Sequence, residues 1–456
     1  MTTLLVKNIH TLVTMNDQRE EIRNAWMLIR DHVIERIGRA DETPELADEV
    51  LDLQGRHIVL PGLINTHHHF FQSLTRVVPA AQNCSQFEWL KVLYPFWSKL
   101  NAEGVYASTQ LCAAELMLSG CTTSSDHLYL YPNDVTLDEE IRAAHDIGIR
   151  FHPCRGSMSV GESAGGLPPD SLVEREDFIL RDSRRVIESY HDSTRHSMLR
   201  IALAPCSPFS VSPALMRESA ELARSYEGVR LHTHLAENRH DVAYSLATFG
   251  LEPGAWVESI GWVGSDVWHA HCVRLDDQSI AMFGRTGTGV THCPCSNLRL
   301  ASGLAPIRKM REAGVPVGLG ADGAASNDAT NLLHETRQAM LIARVLDEDA
   351  SAMTARHALE LATRGGAQVL GRDDIGTLTP GACADFIAID IDRPAFAGAQ
   401  HDLVAALVLC QIDQVDYSYI HGRCVVHERE LTTAELPRVA EQVNRLSARM
   451  LNGVNG

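Results

Sequence analysis

Lysine is almost missing from this 456-residue chain: Lys7, Lys91, Lys99 and Lys309 are the only ones, and no basic run occurs anywhere. Phosphate backbones and anionic membranes are gripped by clustered Lys and Arg, and the formal net charge is -18, so nucleic acid and membrane are excluded as main partners. No stretch of roughly 18 uninterrupted apolar residues is present to cross a bilayer. The opening MTTLLVKNIHTLVTM lacks an apolar core followed by small residues at a cleavage site, and a cytoplasmic protein is expected. The eleven cysteines follow no fixed spacing, which suits reduced thiols in a large cytosolic chain better than a disulfide framework.

What is present is an ordinary globular composition, 45% hydrophobic and 21% charged, in a chain long enough for one large barrel plus a smaller module. Residues 1–57 read as short strands with turns. From residue 58 to 375 apolar strand-like runs alternate with longer helical patterns. The runs are HIVLPGLIN, CTTSSDH, IRFHPCR, LRIALAPC, VRLHTHLAE, VWHAHCV, GVTHCPCSN and VPVGLGAD. Between them lie amphipathic stretches such as PALMRESAELARSYEG, SIAMFGRTG and APIRKMREAG, each closing near a glycine, as helices often do. Eight βα units closing into a (β/α)8 barrel is the economical fold, although a doubly wound open sheet alternates in the same way. Residues 376–456 return to strands in ADFIAID and SYIHGRCVVHE before a terminal helix. Those strands can pair with the N-terminal ones into a small composite β-sandwich.

The stretch LPGLINTHHHFFQ carries three consecutive histidines behind an apolar run. Side chains alternate along a strand, so His67 and His69 project one way and His68 the other. Imidazole pairs at this spacing suit zinc or iron, but a lone HxH is as readily a solvated turn. Other strand ends decide between these. VRLHTHLAE places His232 and His234 on one face with Glu237 just beyond, VWHAHCV does the same with His269 and His271, and VPVGLGAD ends on Asp322. In a parallel barrel all these ends converge on one mouth, so a metal site follows from residues remote in sequence.

Together, His67-x-His69, His234 with Glu237, His271 in AHC, HCPCSN, and Asp322 in GADG resemble the amidohydrolase superfamily, in its branch of mononuclear aminohydrolases acting on heterocycles. The likeness extends from LPGLINTH to GACADFIAID. It implies a (β/α)8 barrel with a composite β-sandwich, one divalent metal (zinc, or iron) held by His67, His69, His234 and Asp322, and a cytoplasmic homo-oligomer. It also implies Glu237 as proton donor and acceptor, and His271 as the group orienting the attacking water. Dinuclear members need a bridging lysine or glutamate from the fourth strand, and LRIALAPCS offers neither, so one metal is expected. His232 and His269 share the ligand faces without being needed as ligands. His68 and the cysteines of the Cys293–Cys295 run read as packing. Asp126 and His127 at the second strand end read equally as substrate contacts or as a structural pair.

Gln72 and Trp89 are the substrate-facing candidates. An amide can donate to and accept from a lactam edge, and an indole can stack on a flat ring, although helix packing would account for Trp89 as well. The stretch RGSMSVGESAGGLPPDSLVE resembles the loop after the third strand in bacterial 8-oxoguanine deaminases and the s-triazine hydrolases related to them. Several triazine hydrolases depart from the aspartate ligand, whereas Asp322 is kept. The expected reaction is therefore 8-oxoguanine plus water to urate plus ammonia. The alternatives are a triazine, isocytosine, guanine or pterin substrate, a ring-opening hydrolase of cyclic amides, or a catalytically silent metal-binding barrel.

Overall fold

The computed structural model describes residues 2–42, 46–410 and 412–452. Every one of the eight runs supplies a strand of a closed parallel barrel: Leu63–Asn65, Cys121–Leu128, Arg150–Ser157, Ala202–Pro205, Arg230–Leu235, Val267–His271, Gly289–His292 and Val317–Leu319. Closure comes from Leu319 pairing with Asn65. These strands are buried on both faces, as a barrel wrapped by helices requires, and so carry continuous apolar or small residues rather than alternation. The crossover helices are bounded as their sequences suggest. Asp276 caps Asp277–Thr286 by accepting from the Ser279 amide, and Gly287 ends it in a left-handed conformation at φ 72°.

The run HIVLPGLIN is divided between two sheets. His57–Pro61 pairs antiparallel with Phe386–Asp390 in a nine-stranded outer sheet, while Leu63–Asn65 enters the barrel. Gly62 is the crossing point. A Cβ there would lie 2.0 Å from the Thr122 hydroxyl, so only glycine lets the chain pass the second barrel strand this closely. The outer sheet unites the N-terminal strands with Tyr417–Ile420 and Arg423–His427. It buries Val6, Ile9, Met27, Phe386 and Ala388 as a core of its own. A buried ion pair ties the two parts together: Arg150, which opens the third barrel strand, donates to Asp385 at 2.7 and 3.0 Å. Among the described residues no helix is long and apolar enough to cross a membrane.

Just above the barrel rim a further two-stranded pairing joins His68–His69 to Asp322–Gly323. The amide of Asp322 donates to the carbonyl of His67 at 3.1 Å. The first and eighth strands are thus zipped together at the level where the histidines stand.

Candidate metal centre and active site

The zipper sets the first geometry. Nε2 of His67 and of His69 stand 3.3 and 3.4 Å from Oδ1 of Asp322. From the fifth strand, His234 brings its Nε2 to 3.1 Å from that of His69. Asp322 is held at φ 60°, a left-handed conformation that costs a non-glycine residue about 1–3 kcal/mol and persists only where the surroundings impose it. Its carboxylate is further fixed by the Gly323 amide at 2.7 Å on Oδ1 and the Ser296 hydroxyl at 2.5 Å on Oδ2.

The far nitrogen of each ring dictates where its proton sits. His69 Nδ1 donates to the His127 carbonyl at 2.7 Å, and His234 Nδ1 donates to the Cys206 carbonyl at 2.6 Å. His67 Nδ1 donates to His232 Nε2 at 2.8 Å, since His232 must use its own Nδ1 proton on the Trp268 carbonyl at 3.0 Å. Three Nε2 lone pairs are therefore left bare and turned toward one another beside a carboxylate. Nε2 of His67, fully buried, has no hydrogen-bond partner at all. Burial pushes the His67 imidazole well below its usual range and His69 to about 4, so both rings stay neutral. Burial alone would raise Asp322. The contact with His67 first, and then the nearness of His271 and His69, outweigh it and hold the carboxyl well below the usual carboxylate range. Converging neutral imidazoles and an anion fit a divalent cation.

His271 enters the same pocket by a different device. In strict alternation with Trp268 and His269 it would face outward with His269, which stacks on Phe283 and donates to the Trp262 carbonyl. The expectation that His269 shares the face of His271 is corrected here. A φ of 72° at His271 turns the strand end and swings its ring inward. Asn297 donates to Nδ1 at 3.0 Å, which places the ring proton on Nε2, 3.5 Å from Glu237 Oε2 and 3.9 Å from Asp322 Oδ2. Glu237 is driven well above the usual carboxylic range, first by burial and then by Asp241 and Asp322. Two carboxyls in one pocket are thus pushed apart, Asp322 ionised and Glu237 ready to hold a proton, which is the environment that separates a base from an acid.

These groups open into a small cavity of about 40 Å³. Gln72 and Trp89 both line it. The amide nitrogen of Gln72 reaches the Tyr129 hydroxyl at 3.4 Å while its Oε1 is buried without a donor, and the indole N–H of Trp89 is spent on the Ala325 carbonyl at 3.1 Å, leaving the ring face. Asp126 and His127 stand outside the lining. Asp126 accepts from the Phe70 amide at 2.6 Å and His127 donates to the Ala204 carbonyl at 2.8 Å. His68 accepts from the His69 amide at 2.8 Å and packs on Phe70. Cys293 is buried, and neither it nor Cys295 belongs to any cluster of potential metal ligands among the described residues.

Sequence reasoning missed Gln86, Tyr94, Tyr129 and Phe209 in the lining, and His232 as the partner of His67. A signal for the first two was present. Ser85 and Glu88 form a capping box that starts the helix Gln86–Trp97 and puts Gln86, Trp89, Leu90 and Tyr94 on one face of it.

The amidohydrolase family model matches residues 58–423. An 8-oxoguanine deaminase of Pseudomonas aeruginosa is 45% identical over 392 residues, 86% of either chain. A hydroxydechloroatrazine ethylaminohydrolase of Pseudomonas sp. (strain ADP) is 36% identical over 467 residues, covering 98% of this chain and 96% of the other. Among solved structures, an atrazine chlorohydrolase of Arthrobacter aurescens complexed with zinc superposes with a TM-score of 0.93 at 33% identity, over 97% of this chain and all of that one.

Proposed function

The chain belongs to the amidohydrolase family, and from that premise we propose that it hydrolyses the exocyclic amine of a heterocycle, 8-oxoguanine being the substrate. One divalent ion, zinc in this reading, is held by His67, His69, His234 and Asp322. The observation that carries it is the set of bare Nε2 atoms on His67, His69 and His234 turned toward the ionised Asp322. When bound, such an ion supplies a water whose pKa is lowered to about 7.

The residues then divide the proton traffic among them. Asp322 accepts the proton of the attacking water. His271 directs its Nε2–H at the oxygen arriving on the ring carbon. Glu237 gives a proton to the adjacent ring nitrogen, which ends the aromaticity there. It then takes up the proton released as the added hydroxyl becomes the C2 carbonyl and passes it to the amine, which leaves as ammonia. The proton held by Asp322 restores Glu237 to its acid form for the next turnover. In 8-oxoguanine the bond formed is C2–O and the bond broken is C2–N, giving urate and ammonia. The unpartnered Oε1 of Gln72 supports a lactam N–H as its missing donor, and the indole of Trp89 in the cavity lining supports a flat ring.

In the same reading the chain divides into 1–57, 58–375 and 376–456, and the protein is a cytoplasmic homo-oligomer. The cytoplasmic part is supported by its unpaired thiols. Purified protein assayed for ammonia against aminated purines, pyrimidines, pterins and triazines tests the reading. Release from 8-oxoguanine with urate formed in equal amount is expected. If a triazine turns over while 8-oxoguanine is inert, the substrate is wrong and the reaction class stands. No ammonia from any of them discards the reaction class.

A further inference from the structure

We infer that Gln86 is a positioning residue, clamping the carboxyl of Glu237 in the orientation from which it moves protons. This rests on the role given to Glu237 above. The inference follows from a chain of hydrogen bonds in which each orientation forces the next. Asn238 is the N-cap of the helix Arg239–Phe249, and its Oδ1 accepts from the amides of His240 at 2.7 Å and Asp241 at 3.2 Å. A carbonyl oxygen is required there, so Nδ2 of Asn238 must turn the other way, where it donates to Oε1 of Gln86. With Oε1 committed, the remaining atom of the Gln86 amide is a donor, and it donates to Oε2 of Glu237.

All three side chains are buried. The consequence is specific. Oε2 of Glu237, the oxygen 3.5 Å from His271 Nε2, is held as an acceptor by an amide that cannot rotate without leaving Asn238 unsatisfied. The backbone N–H of Glu237 is tied at the same time to Asp241 Oδ2 at 2.8 Å, so main chain and side chain are fixed independently.

The test uses the zinc-loaded full chain. Gln86→Leu removes the donor at nearly constant volume. Asn238→Ser keeps the helix cap but removes the group that orients Gln86, and the Asn238 side chain is not itself among the cavity-lining groups. Both are expected to keep zinc content and KM while kcat drops, by about 10–100-fold for Gln86→Leu and less for Asn238→Ser, and any fall in melting temperature leaves the zinc content untouched. In a Glu237→Gln background Gln86→Leu should subtract nothing further, because the group it serves is already disabled. A crystal structure of Gln86→Leu should show the Glu237 carboxyl moved from its place beside His271, a readout that needs no activity. Wild-type turnover matched by Gln86→Leu, additive losses in the double variant, or an unmoved Glu237 overturns the inference alone. A wild-type chain that releases no ammonia from any aminated heterocycle overturns the reading beneath it as well.

Discussion

His67 Nδ1 donates to His232 Nε2 across 2.8 Å, and the other nitrogen of His232 donates to the Trp268 carbonyl at 3.0 Å. His232 stacks on the Trp268 indole, with ring centroids 4.4 Å apart. The relay allows one proton arrangement, and in it His67 has a bare Nε2 facing Asp322. His232 therefore fixes the metal-facing atom of a neighbour without facing the cavity itself.

His232→Leu breaks that relay. Partners of this kind are typically worth about 10–100-fold in metal affinity, so zinc affinity should fall by that much, measured by competition with a chromogenic chelator. An unchanged affinity would show that His67 needs no such partner.

Glu237→Gln retains the size of the side chain and removes its ability to carry a proton. Ammonia release should fall by about 10²–10⁴-fold, the usual worth of positioned acid–base catalysis. Zinc content measured alongside should stay at the wild-type value. Loss of the metal would instead place Glu237 among its ligands.

Gly323 lies against Gln72 so closely that a Cβ there would sit 1.8 Å from Oε1. The obstructed atom ends a flexible side chain, so Gly323→Ala should fold and simply displace the amide from the pocket. Gly323→Ala and Gln72→Leu are both expected to raise KM about tenfold, the loss of one hydrogen bond to substrate, with zinc unchanged. Steady-state kinetics on the best substrate of the screen decides it. A KM equal to wild type in Gln72→Leu removes this residue from substrate recognition.

Burial pushes Asp126 up to about 7, and Glu140, buried beside it on the helix Leu137–Ile147, also lies above its ordinary range through burial and the charge of Asp126. A carboxyl that titrates near 4 when unfolded and higher when folded binds its extra proton only in the folded state between those values. Stability from this source is complete below the unfolded value and is lost as pH rises through the folded one. Asp126→Asn keeps an acceptor for the Phe70 amide and abolishes the titration. Melting curves of the zinc-loaded proteins should therefore show the variant gaining on wild type from about pH 4 to about pH 7. A gap that stays constant over that range contradicts the assignment.

Much of this architecture can be read in the residues themselves. All eight barrel strands stand out because parallel strands buried on both faces make short apolar runs between amphipathic helices. His67, His69, His234 and Asp322 stand out because a barrel gathers its C-terminal strand ends at one mouth. Parity then misleads at His269, whose companion His271 is turned inward by a left-handed backbone that a non-glycine residue does not announce. Gln86 escapes notice for another reason. Its bond to Glu237 spans 151 positions, and only the packing of the helix Gln86–Trp97 over the fifth strand end brings the two together. Gly62 carries a similar lesson, since a single apolar run is cut between two sheets by a steric limit set by Thr122.

The metal count bears on the chemistry most directly. Metal-free protein titrated with zinc, with bound metal measured by mass spectrometry and ammonia release followed at each addition, should bind one equivalent per chain tightly. Activity should rise in proportion and stop there. Two equivalents needed for full activity, or turnover by the metal-free chain, would contradict a single cation held by His67, His69, His234 and Asp322.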